Sequence, residues 1–420
     1  MKTLIKRILN NSFFRSISTL MSGSIVAQII TIIAAPLMTR LYSEEQIGEY
    51  TLILTAVSMF GTVVCARYDQ TIVSENDDHK SYALVKLCFI LTIIFSILVS
   101  IGYTAYYKFT DAISIHFLEI FIWIFILLLF SGIGLILTAY NNRFKQYKLM
   151  ASTHVLRTTA KEVSLVGFGF LKFGLLGLLI SQLLGVFMGL NSQAKSLREN
   201  KEKLAQVTAQ DIKEVAQLHM KQPLYSVPAS FANSFSYSVL NLFISGLFGN
   251  VVLAHYSMSF RMLGLPLALI SVNVSKAFFE KASREYGKTG QFYKTYLQSS
   301  LLLLAVAVPM TVLLILLAPW AFELFFGQGW ETAGRYVQIL APMFGIRLIV
   351  GSLTPTMTIS KKQGLELILQ CLFILCSILT YVFQSIDVIS FLTCISVLYS
   401  IVYIVFYFIM LKISYSQKGE

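Results

Sequence analysis

His154, Arg157 and Lys161 stand at i, i+3 and i+7, a spacing that puts all three on one face of a helix. Arg157 and Lys161 are like charges four apart, a pairing that weakens a helix unless a carboxylate or a bound anion answers it. Glu162 follows directly and is the nearest acid in the chain. Arg261 and Arg347 lie near the middle of long apolar runs, too deep to reach a membrane surface by extending their side chains. A charge at such a depth costs about 2.5–3.5 kcal/mol on insertion scales, so it faces a water-filled cavity, an acid or a substrate anion. The sequence therefore predicts a cationic cavity built from Arg157, Lys161, Arg261 and Arg347. Glu366, near the start of a late apolar run, is the one acid deep enough to answer the last two; Glu162 and Glu366, with Glu119, are the candidates for ion coupling. Gln28, Asn233 and Asn241 are polar positions able either to line a path or to hold helices together. No phosphate-binding glycine loop, metal-ligand cluster or nucleophile beside a base occurs, so neither a cofactor nor a metal is expected and the chain is read as a non-enzyme.

The elements that carry these residues follow from composition. Of 420 residues, 56% are hydrophobic and 13% charged, against roughly 45–50% and ~25% in soluble domains. A soluble fold cannot hide that much apolar surface, which excludes a soluble enzyme, a disulfide-stapled secreted domain and a disordered chain. About twelve helices of ~20 residues would account for it. Apolar runs predict spans at 16–39, 47–67, 82–106, 116–140, 151–171, 174–191, 225–248, 251–273, 295–318, 333–356, 364–384 and 388–411. The basic start Met1-Lys-Thr-Leu-Ile-Lys-Arg7 resembles a signal peptide, but the apolar run that follows is too long for one and reads as a retained first helix. The stretch 151–191 could be one tilted helix or two; two keep the basic loops on either side of it on one face of the membrane, with Lys172-Phe-Gly174 as the outer turn. All five cysteines lie in apolar runs without metal spacing and read as small packing residues.

With both termini inside, 24 of the 33 Lys and Arg fall on the inner side, three (Arg40, Lys108, Lys172) outside and six within spans. The net charge of +12 is thus an orientation signal, and no nucleic-acid partner is expected. Trp123, Trp320 and Trp330 fall near outer span ends, as an interfacial belt would. Leu41-Tyr-Ser-Glu-Glu-Gln-Ile-Gly-Glu-Tyr-Thr51 aligns without gaps on Leu247-Phe-Gly-Asn-Val-Val-Leu-Ala-His-Tyr-Ser257, each joining the first two spans of a six-span unit. The expected fold is therefore an all-α integral membrane protein whose two six-helix lobes are related by a pseudo-twofold along the membrane normal. The lobes are 1–192 and 223–420, with 193–222 as a partly amphipathic linker on the inner surface.

Ala35-Pro-Leu-Met-Thr-Arg-Leu-Tyr-Ser-Glu-Glu-Gln-Ile-Gly-Glu-Tyr50, then Ala66-Arg-Tyr-Asp-Gln-Thr-Ile-Val-Ser74, resembles the polysaccharide-transporter branch of the multidrug/oligosaccharidyl-lipid/polysaccharide exporter superfamily. The motif likeness covers about the first 80 residues and is strongest toward bacterial O-antigen and exopolysaccharide flippases. It implies a MATE-like, monomeric transporter of the cytoplasmic (inner) membrane. Its cargo would be an undecaprenyl-diphosphate-linked oligosaccharide, moved from the cytoplasmic to the periplasmic leaflet by alternating access. Its surroundings would be membrane lipids and, beside it, a polysaccharide polymerase with chain-length machinery. On that reading the cationic residues meet the diphosphate, and Gln28, Asn233 and Asn241 line the sugar path. The alternative is a cation-coupled multidrug exporter of the same superfamily, which would carry a membrane-buried acid in the first lobe.

Overall fold

In the computed structural model, residues 12–110, 113–360, 362, 364–382 and 387–415 are described, side chains from Ser22 onward. The basic start, Lys361, Ser385 and Lys418 lie outside them. The described residues are helical almost throughout, with no strand. In chain order the helices are α1 (Ser12–Leu41), α2 (Glu44–Gly61), α3 (Tyr68–Ser74), α4 (Asp78–Thr110), α5 (Phe117–Arg143), α6 (Tyr147–Phe170) and α7 (Gly174–Phe187). The short α8 (Leu190–Glu199), α9 (Lys201–Gln206) and α10 (Ala209–Leu218) come next. They are followed by α11 (Lys221–Phe248), α12 (Asn250–Pro266), α13 (Val272–Thr289), α14 (Tyr293–Phe326), α15 (Glu331–Leu353), α16 (Pro355–Ile359), α17 (Gly364–Val382) and α18 (Val388–Tyr415).

Each of the twelve expected spans coincides mainly with helix, although α2 ends at Gly61, six residues before the expected end of span two; among the described residues nine are long and apolar enough to cross a membrane. The three that fall short are α2, α6 and α11, and these carry polar groups inside: Glu49, then Arg157, Lys161 and Glu162, then Asn233 and Asn241. Helices that cross a bilayer with such groups turn them away from lipid. The stretch 151–191 resolves into two helices, broken at Leu171–Phe173 with Lys172 at φ 57° and Gly174 at φ 58°. Span eight runs further than its apolar stretch: after Pro266 the chain widens into a π-turn at Leu267–Ser271 and continues as α13 to Thr289. Proline lacks the N–H for the regular ladder and crowds the preceding turn, which accounts for the widening.

The chain divides into two compact units, one up to Ser234 and one from Phe235, the boundary falling inside α11. In the first unit, Ser43 and Gln46 close a reciprocal capping box at the start of α2. The aligned repeat segments both sit at helix-to-helix turns, Leu41 to Glu44 and Phe248 to Asn250. Small residues let helices approach: a Cβ on Gly132 would lie 2.5 Å from Thr92 Cγ2, and one on Gly177 3.0 Å from the Tyr42 hydroxyl. In the second unit, α14 packs along α15, and a Cβ on Gly334 would meet the Pro319 backbone at 2.5 Å. The outer face of α14 leaves Leu301, Leu302, Leu313 and Leu316 more than half exposed, a surface for lipid tails.

The polar stretch 193–222, expected as a linker on the inner surface, lies within the first unit, where α8, α9 and α10 fold as a strap against the other helices. Leu197, Val207 and Val215 are buried there in one cluster with Tyr68, Tyr82 and Tyr140. Their apolar stripe finds protein side chains rather than headgroups. Tyr68 Oη donates to the Ala216 carbonyl at 2.9 Å, and Lys86 Nζ to the Val207 carbonyl at 2.9 Å. His219 and Glu75 meet at 2.9 Å, His79 and Asp211 at 3.2 Å.

Candidate functional site

Arg347 lies sixteen residues past the first residue of α15, about 24 Å along that helix at 1.5 Å per residue. Three rings surround its guanidinium: Tyr237 of α11 at 4.3 Å, Phe344 one turn back on α15 at 5.3 Å and Phe260 of α12 at 5.7 Å. A second tier holds these rings. Tyr237 and Tyr403 share a hydroxyl hydrogen bond of 3.0 Å, and Phe373 of α17 lies 4.5 Å from Tyr399 and 4.7 Å from Tyr403. Tyr399 is fixed in turn by Ser377 at 2.8 Å and by donating to the Ser236 carbonyl at 3.1 Å, while Ser236 donates to Gln370 at 3.0 Å.

Among the described residues, Arg347 makes no hydrogen bond and no carboxylate lies within 4 Å of it, although it is only partly buried. Each ring contact is worth up to ~2 kcal/mol when desolvated, and desolvating the ion costs several. The rings thus keep the charge tolerable without neutralising it. They approach the cation over their faces, whereas N–H donors point along its edge; the edge is where an anion binds. Glu366, the acid expected as its partner, is exposed in the first turn of α17. Arg261 is half-buried on α12, one residue beyond Phe260 and so about 100° around the helix from it. Asn241 is half-buried and Asn233 exposed on α11.

The first-unit cations are placed differently. Arg157 gives Nε to the Met188 carbonyl at 3.2 Å and Nη2 to Gln193 Oε1 at 3.2 Å. Met188 caps α7, so Arg157 answers a helix-end carbonyl that has no partner in its own helix. Gly134 of α5 makes the room: a Cβ there would lie 3.2 Å from Nη2. Lys161 Nζ is 4.0 Å from Glu162 Oε1, which also accepts from Thr31 at 3.4 Å, and Glu162 is buried. His154 is exposed and Gln28 half-buried.

Sequence reasoning missed the tyrosines behind the rings that cover Arg347, and it missed Asp69. The signal for the first was a stripe at i, i+4 and i+8 on the last helix, Tyr399, Tyr403 and Tyr407. For the second it was an acid two residues past an apolar run, inside the motif Ala66-Arg-Tyr-Asp69.

A family model described as "Polysaccharide biosynthesis protein" matches residues 37–335. No curated protein matches. Among solved structures, the lipid II flippase MurJ in an inward closed conformation aligns at TM-score 0.69 and 16% identity, over 93% of this chain and 90% of that one. An inward-facing multidrug resistance MATE family transporter of the MOP superfamily aligns at 0.66 and 15%, over 92% and 98%. A MOP superfamily transporter from Pyrococcus furiosus, described as having a binding pocket of reverse polarity, aligns at 0.61 and 16%, over 95% and 94%. The fold is shared with all three along nearly the whole chain.

Proposed function

Because this chain belongs to the polysaccharide biosynthesis protein family, we propose that it is a flippase for an undecaprenyl-diphosphate-linked oligosaccharide, an O-antigen or exopolysaccharide repeat unit. The observation that carries this reading is Arg347: a cation deep in the second unit, ringed by aromatic faces and left without an acid. A diphosphate supplies the missing charge, and aromatic rings with tyrosine hydroxyls suit a sugar that presents both apolar faces and hydroxyl groups. Arg261 and Lys161 are further cations of the cavity in this proposal, and Arg157 adds its charge while held by the Met188 carbonyl and Gln193, with Gln28, Asn233 and Asn241 along the sugar path and Glu162 and Glu366 as coupling candidates. Two lobes, 1–192 and 223–420, would alternate access in the cytoplasmic membrane of a bacterium, with both termini inside. The molecule would act as a monomer beside a polymerase and chain-length machinery.

Removing the protein should strand lipid-linked repeat units on the cytoplasmic leaflet and abolish the surface polymer. The shared fold also fits a cation-coupled multidrug exporter, but Arg347 would repel a cationic cargo. A strain lacking the protein that made normal polymer and became drug-sensitive would replace the flippase by that exporter.

A further inference from the structure

Asp69 is 5% exposed, and its Oδ1 is buried with no hydrogen-bond partner. The basic residues on the helices packed against α3 and on the strap are committed elsewhere. Arg143 of α5 binds the Ile72 and Glu75 carbonyls and the Asp78 carboxylate. From α4, Lys86 donates to the Val207 carbonyl and Lys80 pairs with Glu214. His79 faces Asp211, and His219 faces Glu75. Arg67, two residues away, donates to the Thr62 carbonyl at 3.4 Å; it makes no ion pair within 4 Å, and its Nε is buried without a partner. The other titratable neighbour is Cys88 of α4, itself fully buried.

An isolated ionised carboxylate in such a place costs several kcal/mol, and the usual outcome is that it takes a proton. Two features pull the other way. The left-handed residues Ala66 and Arg67 (φ 48° and 62°) end the preceding turn, and the Asp69 backbone N–H donates to its own carboxylate. The Arg67 charge lies close by. Burial, the largest influence, pushes the Asp69 carboxyl up, and the Arg67 charge and the backbone hydrogen bond draw it part of the way back.

We propose that Asp69 is a proton-binding site of the first unit, roofed by the strap. Its chain neighbours are held on either side: Tyr68 by the strap through the Ala216 carbonyl at 2.9 Å, and Gln70 by Gln222 at the start of α11 at 3.0 Å. A proton entering or leaving Asp69 from the strap side passes between these ties. The site does not depend on the identity of the cargo, so it stands or falls separately from the flippase reading.

The test is infrared spectroscopy of the full-length protein in lipid vesicles, titrated upward from the ordinary carboxylate range. The wild type should show a protonated carboxyl C=O band that is absent in Asp69→Asn and fades as pH rises. Identical spectra for the two proteins, or a band that never titrates, overturns the proposal. Should Asp69→Asn not accumulate, Asp69→Glu keeps the proton and shifts the band, and an unshifted band overturns it equally. In D2O the band should exchange several-fold faster in Tyr68→Phe, which loses the tie to Ala216; equal rates remove the roof from the proposal.

Discussion

Arg157 and Arg347 are both arginines deep in a helical bundle, yet their surroundings assign them different work. Arg157 has two protein acceptors, one of them the capping carbonyl of α7. Charge-assisted hydrogen bonds of that kind contribute roughly 1.5–3 kcal/mol each. Arg157→Ala should therefore lower the amount of folded protein in the membrane, measured by quantitative blotting, with transport per molecule changing less. Arg347 has rings and no acceptor, so Arg347→Ala should leave abundance nearly intact and cut normalised transport on the order of 30-fold or more, the effect of losing about 2–5 kcal/mol at a buried charge pair. Arg347→Lys keeps the charge without the two-pronged geometry and should retain part of the activity. Full normalised activity in Arg347→Ala would remove the anion site. Asp69 sets a pH dependence: its folded-state carboxyl is raised by burial, so its contribution to stability is whole below the unfolded carboxyl range and is lost as pH rises through the raised value. Melting temperatures of wild type and Asp69→Asn should therefore diverge with rising pH, the variant becoming the more stable; parallel curves would refute that sign.

At the scale of elements, the strap is held by a few ties over a small apolar stripe, and the stripe matters more. The His219–Glu75 contact is partly exposed, worth about 0.5–1 kcal/mol and hence a ~2- to 5-fold change in opening. Val215 is 1% exposed, and an aspartate there would bury a charge at a cost of several kcal/mol. Trypsin cleavage at Lys203 and Lys213 should quicken slightly in His219→Ala and by far more in Val215→Asp. Two glycines between α14 and α15 should also separate. A Cβ on Gly334 would meet Pro319 backbone at 2.5 Å, whereas one on Gly345 would meet the Thr311 hydroxyl oxygen at 2.4 Å, at the end of a side chain that can turn away. Overpacking costs typically about 1–3 kcal/mol, so Gly334→Ala should lose more folded protein than Gly345→Ala.

For the whole molecule, the break at Leu171–Phe173 decides orientation. Two helices in place of one long one keep the basic loops before α6 and after α7 on the same side. Reporter fusions at Lys172 and Ser385 should read outside, and fusions at Lys148 and Lys203 inside. An inside signal at Lys172 would mean that α6 and α7 do not each cross.

The helices, their order and the turn at Lys172 were legible in the sequence, because apolar periodicity and loop charge are properties read along the chain. The repeat was legible for the same reason, since both copies mark a helix-to-helix turn. What answers each charge was not. The partner of Arg157 is 36 residues away at Gln193, and Tyr237, which covers Arg347, is held by Tyr403, 166 residues away. Arg157 and Arg347 look alike in sequence because both interrupt apolar runs; packing gave one a carbonyl and an amide and the other only rings. Packing likewise turned the polar stretch 193–222 into a roof over Asp69, because its apolar stripe found the first unit's tyrosines.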